Sequence, residues 1–443
     1  MVDNSVFQPG RNIQEAWNAL DISPLSPDDP RYVDCSQVRG SDIIKQLEKR
    51  LNMLQEEKYL HLLFSGYRGN GKTTELFQFM NRIERKYKTL YFNAQEELDI
   101  NDLTFSDLLL GIAKMTAERM EAERMPLPDR LLKQVGEWFS ERLIEKTTQV
   151  KGELEAQAGA GIPKWFSYIT AKILGSIKAS VDERKIIRQK LRQETTDLIK
   201  HVNNLLKGAR EVVKQKLNKN FLIIIDNLDR LRQGLDADLF VHSGQLLRGL
   251  ECNFISVVPI SLFYQSSPTI TPFDEKLIMP MIPVRNRDGS PNEDAIAHLC
   301  KLIEKRFVLD AILVEHEKTA REFILASGGH LRDLIRMLRD ACYETDDKID
   351  MTVAKKMINK LSEEYDMVVK EHQYRYLAKT YEEKDIETND DTQSLIYNTV
   401  ILIYQAADNS KWMDVHPVLV SRKKFQKAQE ELLKAKKGRK KRS

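Results

Sequence analysis

Hydrophobic and polar positions along the chain follow two different periods, and their alternation predicts an α/β fold. Two segments, 74–86 and 104–119, have the 3.6-residue period of amphipathic helices. Five short apolar runs are typical of strands instead, at 60–65, 89–95, 220–229, 253–262 and 277–284. Because a strand–helix–strand crossover joins parallel strands, we predict a three-layer fold with a parallel sheet between helices. Two prolines in the last run predict an edge strand or an irregular one.

The remaining segments are mostly helical in pattern. Residues 123–218 are too long for an ordinary connection within a sheet, so they are predicted to form a helical insertion. Near the C-terminus, two short helical patterns precede two β-rich runs joined by a turn, which is the order of a winged helix. The predicted units are a lead-in (1–30), a sheet core (31–122 and 219–290), the insertion (123–218), a helical lid (291–363), a winged-helix-like domain (364–420) and a basic tail (421–443).

Composition adds little until the charge is mapped along the chain. Hydrophobic residues make up 42% and charged residues 30% of the 443 residues, an ordinary balance for a globular protein. The segment 421–443 contains eleven Lys/Arg and two Glu, so it carries +9 in a chain whose net charge is +3. A tail of this kind attracts phosphate backbones or acidic surfaces.

Cysteine spacing and hydropathy bear on the location of the protein. The four cysteines lie far apart, which predicts reduced thiols. The sequence has neither an apolar signal core at its N-terminus nor an apolar run long enough for a membrane span. We therefore expect a cytoplasmic protein.

A glycine-rich turn follows the first apolar run and matches the pattern GxxxxGK[ST]. Glycines allow successive backbone N–H groups to approach phosphate oxygens closely. Lys72 is expected to reach the β- and γ-phosphates, and the hydroxyl of Thr73 to bind Mg²⁺. The following helix would direct its positive dipole end at the phosphates. The predicted ATP-binding residues are Gly66, Arg68, Gly69, Asn70, Gly71, Lys72, Thr73 and Thr74.

A second motif lies at the end of the third apolar run. A buried parallel strand delivers its last residue to the sheet edge where ligands bind, so Asp226 is expected to hold Mg²⁺ together with Thr73. The next residue is Asn227, and an amide cannot accept a proton from an attacking water. Either Asp229 or a neighbouring subunit then takes that role, or hydrolysis is slow.

Other side chains are candidates for sensing the nucleotide, each with a purely structural alternative. Arg332 begins a helix after two glycines and would reach the γ-phosphate, or it belongs to a solvated arginine face. Ser261 would sense phosphate or simply end a strand, and Arg248 is a candidate for an arginine that acts on a neighbouring subunit. Tyr32, Val33 and the pair Arg39-Gly40 would cover the adenine, or belong to a plain helical segment that makes no base contact.

With these motifs in place, the chain resembles the AAA+/STAND side of the P-loop ATPases, and within it the prokaryotic ATPases related to the origin-recognition initiators. The resemblance rests on GYRGNGKTT, IIIDNLDRL, VVPISLF and GGHLRDLIRMLRDA, followed by a winged-helix-like end. It implies that Arg332 is a second sensor on the lid. The DNLDR string is also similar to KAP ATPases, although the membrane segments usual in that family are not in this sequence. The insertion and Asn227 depart from the general pattern.

Three classes of function follow from this reasoning. The first is an ATP-dependent switch with Mg²⁺ as cofactor and slow hydrolysis, which assembles with itself or engages a partner effector protein, in prokaryotic defence or signalling. The second is a DNA-binding initiator or loader that uses the winged helix and the tail. The predicted hairpin carries Asp408, Asp414 and Lys411, which favours protein contact over DNA. The third class is a nucleotide-bound scaffold without turnover.

Overall fold

A five-stranded parallel sheet forms the centre of the molecule. The structure, a computed structural model, describes residues 7–55, 58–143, 188–189, 191–232, 234–264, 273, 275–406 and 408–440. The strands are β1 (His61–Gly66), β2 (Tyr87–Asn93), β3 (Asn220–Asp226), β4 (Asn253–Val258) and β5 (Glu275–Met279). Their order is β2-β3-β4-β1-β5, and every pair is parallel. The predicted α/β fold is confirmed, and the proline-containing fifth run supplies an edge strand.

The sheet is buried on both faces because its strands are almost continuously apolar. In β3, Phe221, Ile223 and Ile225 pack into one hydrophobic cluster, while Leu222 and Ile224 pack into another on the opposite face. This alternation follows from the two-residue period of a strand. Such a strand holds its terminal residue, Asp226, rigidly at the edge of the sheet.

Helices cover the two faces of the sheet. Ile43–Asn52 and Lys72–Ile83 contribute to one cluster, and Phe105–Ala122 and Thr195–Leu217 to the other. Thr195–Leu217 falls inside the predicted insertion, yet it contacts β3 directly and therefore completes a layer of the core. The helix Asp129–Leu143 packs beside it. The middle of the predicted insertion, 144–187, lies outside the described residues.

The second half of the chain forms a group of helices, for which we keep the name lid, and a C-terminal unit. The helices of the lid are Glu293–Glu304, His316–Ser327, Leu331–Glu344 (the lid helix) and Met351–Val368. The C-terminal unit contains Tyr374–Glu383, Asp390–Tyr397, the antiparallel hairpin β6 (Ile401–Gln405) and β7 (Lys411–Val415), and the helix Lys423–Lys440. The order of helices and hairpin agrees with the sequence pattern. The assignment as a winged helix and the domain boundaries stay predictions.

The described N-terminal residues are tied to the lid rather than separate from it. Gly10 exchanges backbone hydrogen bonds with Arg306 and Val308, each 2.9 Å long. The helix Ile13–Ala19 places Ala16 in one continuous hydrophobic cluster with the lid and the C-terminal unit. Three segments that are distant in sequence thus share a single core.

Hydropathy of the described helices gives one further result. None of them combines the length and the apolar character that a membrane crossing requires.

Candidate nucleotide-binding site

The glycine-rich loop lies between β1 and the helix Lys72–Ile83, at the carboxyl edge of the sheet. Gly69 and Gly71 have φ values of 85° and 92°, in the left-handed region that glycine adopts at little cost. A Cβ atom on Gly69 would lie only 2.5 Å from the Cβ of Arg332. The loop therefore needs glycine both for its turn and for the close approach of the lid helix.

A cavity of about 380 Å³ opens above this loop. Loop residues, the ends of β2 and β3, the N-terminal segment and the lid helix all contribute to its wall. The residues lining the cavity are Asp21, Ile22, Ser23, Pro24, Arg68, Gly69, Gly71, Lys72, Thr73, Thr74, Asn93, Gln95, Asp226, Asn227, Asp229, Arg230, Leu331, Arg332 and Ile335. Its volume is within the range of small-molecule sites. It brings together the two motifs that lie 150 residues apart in sequence.

Lys72 is buried within the loop and engaged by oxygen atoms. Its Nζ donates to the carbonyl oxygens of Gly66 (2.8 Å) and Tyr67 (2.9 Å). The same Nζ lies 2.7 Å from Oδ2 of Asp229, and both side chains are almost fully buried. Any phosphate entering the loop would compete with Asp229 for this ammonium group.

Asp226 receives three hydrogen bonds at the end of β3. The hydroxyl groups of Thr73 and Tyr91 donate to Oδ2 over 2.6 and 2.8 Å, and the backbone N–H of Asn227 donates to Oδ1 over 2.7 Å. Burial raises the pKa of Asp226, an effect that the hydrogen bond from Thr73 reduces. Hard oxygen donors of this kind suit Mg²⁺, so Thr73 and Asp226 fit the predicted metal role. Tyr91 was not identified from the sequence; its position two residues before the end of β2 is the available signal.

The side chain of Asn227, the residue after Asp226, forms a hydrogen bond with the side-chain amide of Asn93. Asn227 has a φ of 64°, and its Nδ2 donates to Oδ1 of Asn93 over 2.8 Å. Asn93 is the register partner of Asp226 on the neighbouring strand. Neither amide can accept a proton, so Asp229 is the nearby carboxylate with the basicity that Asn227 lacks.

Besides Arg68, two arginines from different segments line the cavity. The backbone N–H of Arg332 donates to the carbonyl oxygen of Gly69 over 3.1 Å, which joins the lid helix to the loop. Burial lowers the pKa of Arg332, with a further lowering from the charge of Arg230. Arg230 also lines the cavity and was missed in the sequence, although it belongs to the quoted string IIIDNLDRL.

The other sequence candidates lie apart from this cavity. Arg248 follows the short helix Gly244–Leu247 and is not among the lining residues. Ser261 is buried after β4, where its carbonyl oxygen accepts a hydrogen bond from Gln393. Tyr32 contacts Oε2 of Glu75 through its hydroxyl group, and Val33 packs on the shared core instead of lining the cavity. The proposed roles of these residues stay predictions.

The N-terminal segment forms part of the wall of the cavity. The stretch 21–24 lines its wall, and the next residue, Leu25, donates its backbone N–H to Oγ1 of Thr74 over 3.1 Å. The carbonyl oxygen of Pro27 accepts a hydrogen bond from Gln78 on the same helix. No pattern in the sequence indicates that the predicted lead-in reaches this cavity.

The loop is also bonded to the C-terminal unit. The hydroxyl of Tyr67 donates to the carbonyl oxygen of Ile401 over 2.6 Å. The guanidinium of Arg68 donates to the carbonyl oxygen of Asp229 and lies 4.5 Å from the centre of the Tyr397 ring. The contacts with Ile401 and Tyr397 join residues more than 300 positions apart, and they involve the two loop residues before Gly69.

A buried polar cluster supports the start of the lid helix. Nε2 of His330 lies 2.6 Å from the carbonyl oxygen of Arg68, and its Nδ1 lies 2.8 Å from Oδ2 of Asp333. The same carboxylate oxygen contacts Nε2 of His416 (3.3 Å) and the hydroxyl of Tyr365 (2.7 Å). Burial alone would raise the pKa of Asp333, but the two neighbouring histidines hold it well below its ordinary value. Loop, lid and C-terminal unit therefore meet at one carboxylate.

Comparisons with known proteins extend over most of the chain at low similarity. No family model matches the sequence. No curated protein matches it either. Among solved structures, the chain is similar to a Walker-type ATPase of Pyrococcus abyssi, with 14% identity and a TM-score of 0.40 over 91% of this chain and 99% of the other. It is also similar to Cdc6p from Pyrobaculum aerophilum, with 12% identity and a TM-score of 0.33 over 90% and 99% of the two chains. No residue role is transferred from either structure.

Proposed function

We propose that this chain is an ATP-binding molecular switch that hydrolyses ATP slowly and engages a partner, or a second copy of itself, when ATP is bound. The observation that carries this proposal is that one loop both surrounds Lys72 and contacts the C-terminal unit. Its glycines and Lys72 form the phosphate cradle, while Tyr67 and Arg68 hold the C-terminal unit. Occupation of the cradle is therefore coupled to how the lid and the C-terminal unit are held.

The residues of the cavity fit a nucleotide with Mg²⁺. Gly69 and Gly71 have positive φ values that favour glycine, and because glycine has no side chain the cradle stays open to phosphate. The oxygens of Thr73 and Asp226 suit a hard cation. Bound Mg²⁺ would supply charge neutralisation at the phosphates. Lys72 would exchange its contact with Asp229 for phosphate oxygens, and this exchange changes the contacts made by the segment that includes Arg230.

Slow hydrolysis follows from the chemistry of the side chains near the phosphates. The side chain of Asn227 donates a hydrogen bond to Asn93 and has no basic atom that could accept a proton from water. Asp229 has that basic atom, but it reaches water only after releasing Lys72. Arg332 and Arg230 would stabilise negative charge at the phosphates, and Arg248 would act only on a neighbouring subunit.

A prokaryotic defence or signalling system, with a separately encoded effector, is the setting that we propose. The support is the architecture: one nucleotide cradle is joined to a lid and a C-terminal unit, and the hairpin of that unit carries more acid than base. Lys384 already neutralises Asp414 in an ion pair of 2.6 Å. These charges favour a protein partner over a DNA backbone.

The test is to measure Mg–ATP binding and phosphate release by the full chain, with and without duplex DNA. Lys72→Ala should weaken ATP binding about 100-fold or more because it removes the buried phosphate-binding charge, whereas Lys305→Ala, at an exposed lid position, should not. Phosphate release by the wild type should be slow and unchanged by DNA. Binding that survives in Lys72→Ala would contradict the proposal. DNA-stimulated release that is lost in Lys72→Ala and Asp226→Ala would favour the initiator or loader instead.

A further inference from the structure

A second cavity, of about 680 Å³, lies at the opposite end of the sheet from the nucleotide site. Its wall includes Tyr87, Asn220 and Asn253, which begin β2, β3 and β4, whereas the phosphate loop follows the end of β1. Because a strand rises about 3.3 Å per residue, the length of β3 separates the two cavities by about 20 Å. The two sites therefore share a sheet and no lining residue.

Five cationic side chains line this second cavity, which we call the basic cavity: Lys58, Lys86, Arg210, Lys214 and Lys219. Among the described residues of its wall there is no carboxylate. The four lysines also form no ion pair with any other described residue, whereas exposed lysines elsewhere do, such as Lys360 with Asp340 at 2.8 Å. Like charges gathered in one concavity raise the local positive potential and attract anions.

Arg210 is held in place at the wall of the basic cavity. Its guanidinium carbon lies 4.7 Å from the centre of the Tyr59 ring, and it contacts the Tyr59 hydroxyl. One carboxylate reaches it: Glu251, at 3.6 Å. The buried Nε of Arg210 has no hydrogen-bond partner among the described residues. The ammonium group of Lys86 lies 3.3 Å from Oδ1 of Asn52, which is a long contact. The cavity thus presents donors in excess of acceptors.

We propose that the basic cavity binds a small phosphorylated molecule of the nucleoside polyphosphate class. Lysine ammonium groups and a guanidinium are the groups that recognise phosphate. The fixed ring of Tyr59, together with Tyr87, supplies aromatic surface beside them. The volume is within the range of sites that bind one small ligand. These features favour a compact ligand over a nucleic-acid backbone.

The experiment isolates the basic cavity from the nucleotide site. All titrations use the full chain carrying Lys72→Ala, so that phosphate binding at the glycine-rich loop is removed. Inorganic tripolyphosphate and ATP are each titrated by calorimetry into this chain, into the chain with Lys214→Ala and Lys219→Ala added, and into a control with Lys305→Ala and Lys355→Ala added. The control removes the same charge from exposed positions on the lid. A single-stranded oligonucleotide is titrated in parallel.

One tripolyphosphate should bind per chain, and ATP should bind at the same stoichiometry. The substitutions Lys214→Ala and Lys219→Ala (the cavity pair) should weaken the binding of both ligands at least about tenfold. The substitutions Lys305→Ala and Lys355→Ala (the control pair) should change the two affinities less than about twofold. All three chains should melt at similar temperatures, and Lys58→Ala with Lys214→Ala replaces the cavity pair if it does not fold. Absence of tripolyphosphate binding, or an equal loss in both pairs, would overturn the proposal. Binding of the oligonucleotide alone, with loss in the cavity pair, would also overturn it in favour of a nucleic-acid site.

Discussion

At the scale of single residues, the site is defined by competition for Lys72. Its ammonium group holds two backbone carbonyls and the carboxylate of Asp229 inside a buried loop. A buried ion pair loses much of its Coulombic gain to desolvation, so exchanging one anionic partner for another is a small net change in free energy. In the proposed function, that balance would let phosphate displace Asp229 from Lys72.

Replacing Asp229 with Asn tests this competition. The amide no longer attracts Lys72 and no longer repels phosphate, so we expect Asp229→Asn to bind Mg–ATP about threefold to tenfold more tightly, with slower phosphate release. Calorimetry and a phosphate-release assay measure the two effects. Asp238→Asn, at an exposed position, is the control and should change neither. Weaker binding in Asp229→Asn would mean that Asp229 helps to hold the nucleotide instead.

Gly69 allows a second residue-scale test. Gly69→Ala places a Cβ 2.5 Å from the Cβ of Arg332 and forces a left-handed φ of 85° on alanine. Gly289→Ala carries the same backbone penalty at φ 88°, but no atom lies within 4 Å of the added methyl group. We expect the left-handed φ to lower the free energy of unfolding of each variant by about 1 kcal/mol. Gly69→Ala should lose more stability because the lid helix must also move. Equal free energies of unfolding, measured by urea denaturation, would contradict the close approach.

At the scale of elements, the lid helix is anchored at its start by buried polar groups from three segments. Asp333 contacts His330 on the same turn, Tyr365 on the neighbouring helix and His416 after β7. A buried carboxylate left without these partners would cost several kcal/mol, so the segments are held together as a set. The wall of the nucleotide cavity therefore depends on residues that never face it.

The anchoring cluster predicts a pH dependence that can be assigned to one residue. Burial lowers the pKa of His416, so between its ordinary value near 6.5 and its folded value the unfolded chain binds more protons than the folded chain. The free energy of unfolding contributed by this residue therefore falls as pH falls below about 6.5. His416→Asn lacks this contribution. The difference in the free energy of unfolding between wild type and this variant, measured in urea, should therefore become smaller as pH falls from 7.5 to 5.5. A deficit that is constant or larger at the lower pH would exclude a buried neutral histidine.

The sequence predicted those elements whose pattern lies within one contiguous segment. The loop from Gly66 to Thr73 and the strand ending at Asp226 were identified because each motif is contiguous and its chemistry depends on neighbours in sequence. Tyr91 was missed because its contact with Asp226 is set by the pairing of β2 with β3. The N-terminal segment was missed for the same reason, since Leu25 meets Thr74 only through tertiary packing. Contacts between distant positions have no period that a sequence pattern could reveal.

At the scale of the whole molecule, residues that are far apart in sequence line the nucleotide cavity. The N-terminal stretch, the glycine-rich loop, the ends of β2 and β3 and the lid helix all contribute to its wall. The C-terminal unit does not line it, but it is bonded to the loop through Tyr67 and Arg68. The N-terminal segment, the lid and the C-terminal unit share one hydrophobic core that includes Tyr67 of the loop, so in the proposed switch a change at the loop would be transmitted through packed contacts rather than a flexible linker.

The switch is tested most directly by backbone hydrogen exchange, measured with and without Mg–ATP in the full chain. We expect nucleotide to change hydrogen exchange at the loop and also in β6 and the helix Asp390–Tyr397, which contact Tyr67 and Arg68. Lys72→Ala should abolish both changes, and Lys305→Ala should preserve both. Protection confined to the loop, with β6 and that helix unchanged at saturating ATP, would show that the chain binds nucleotide without acting as a switch.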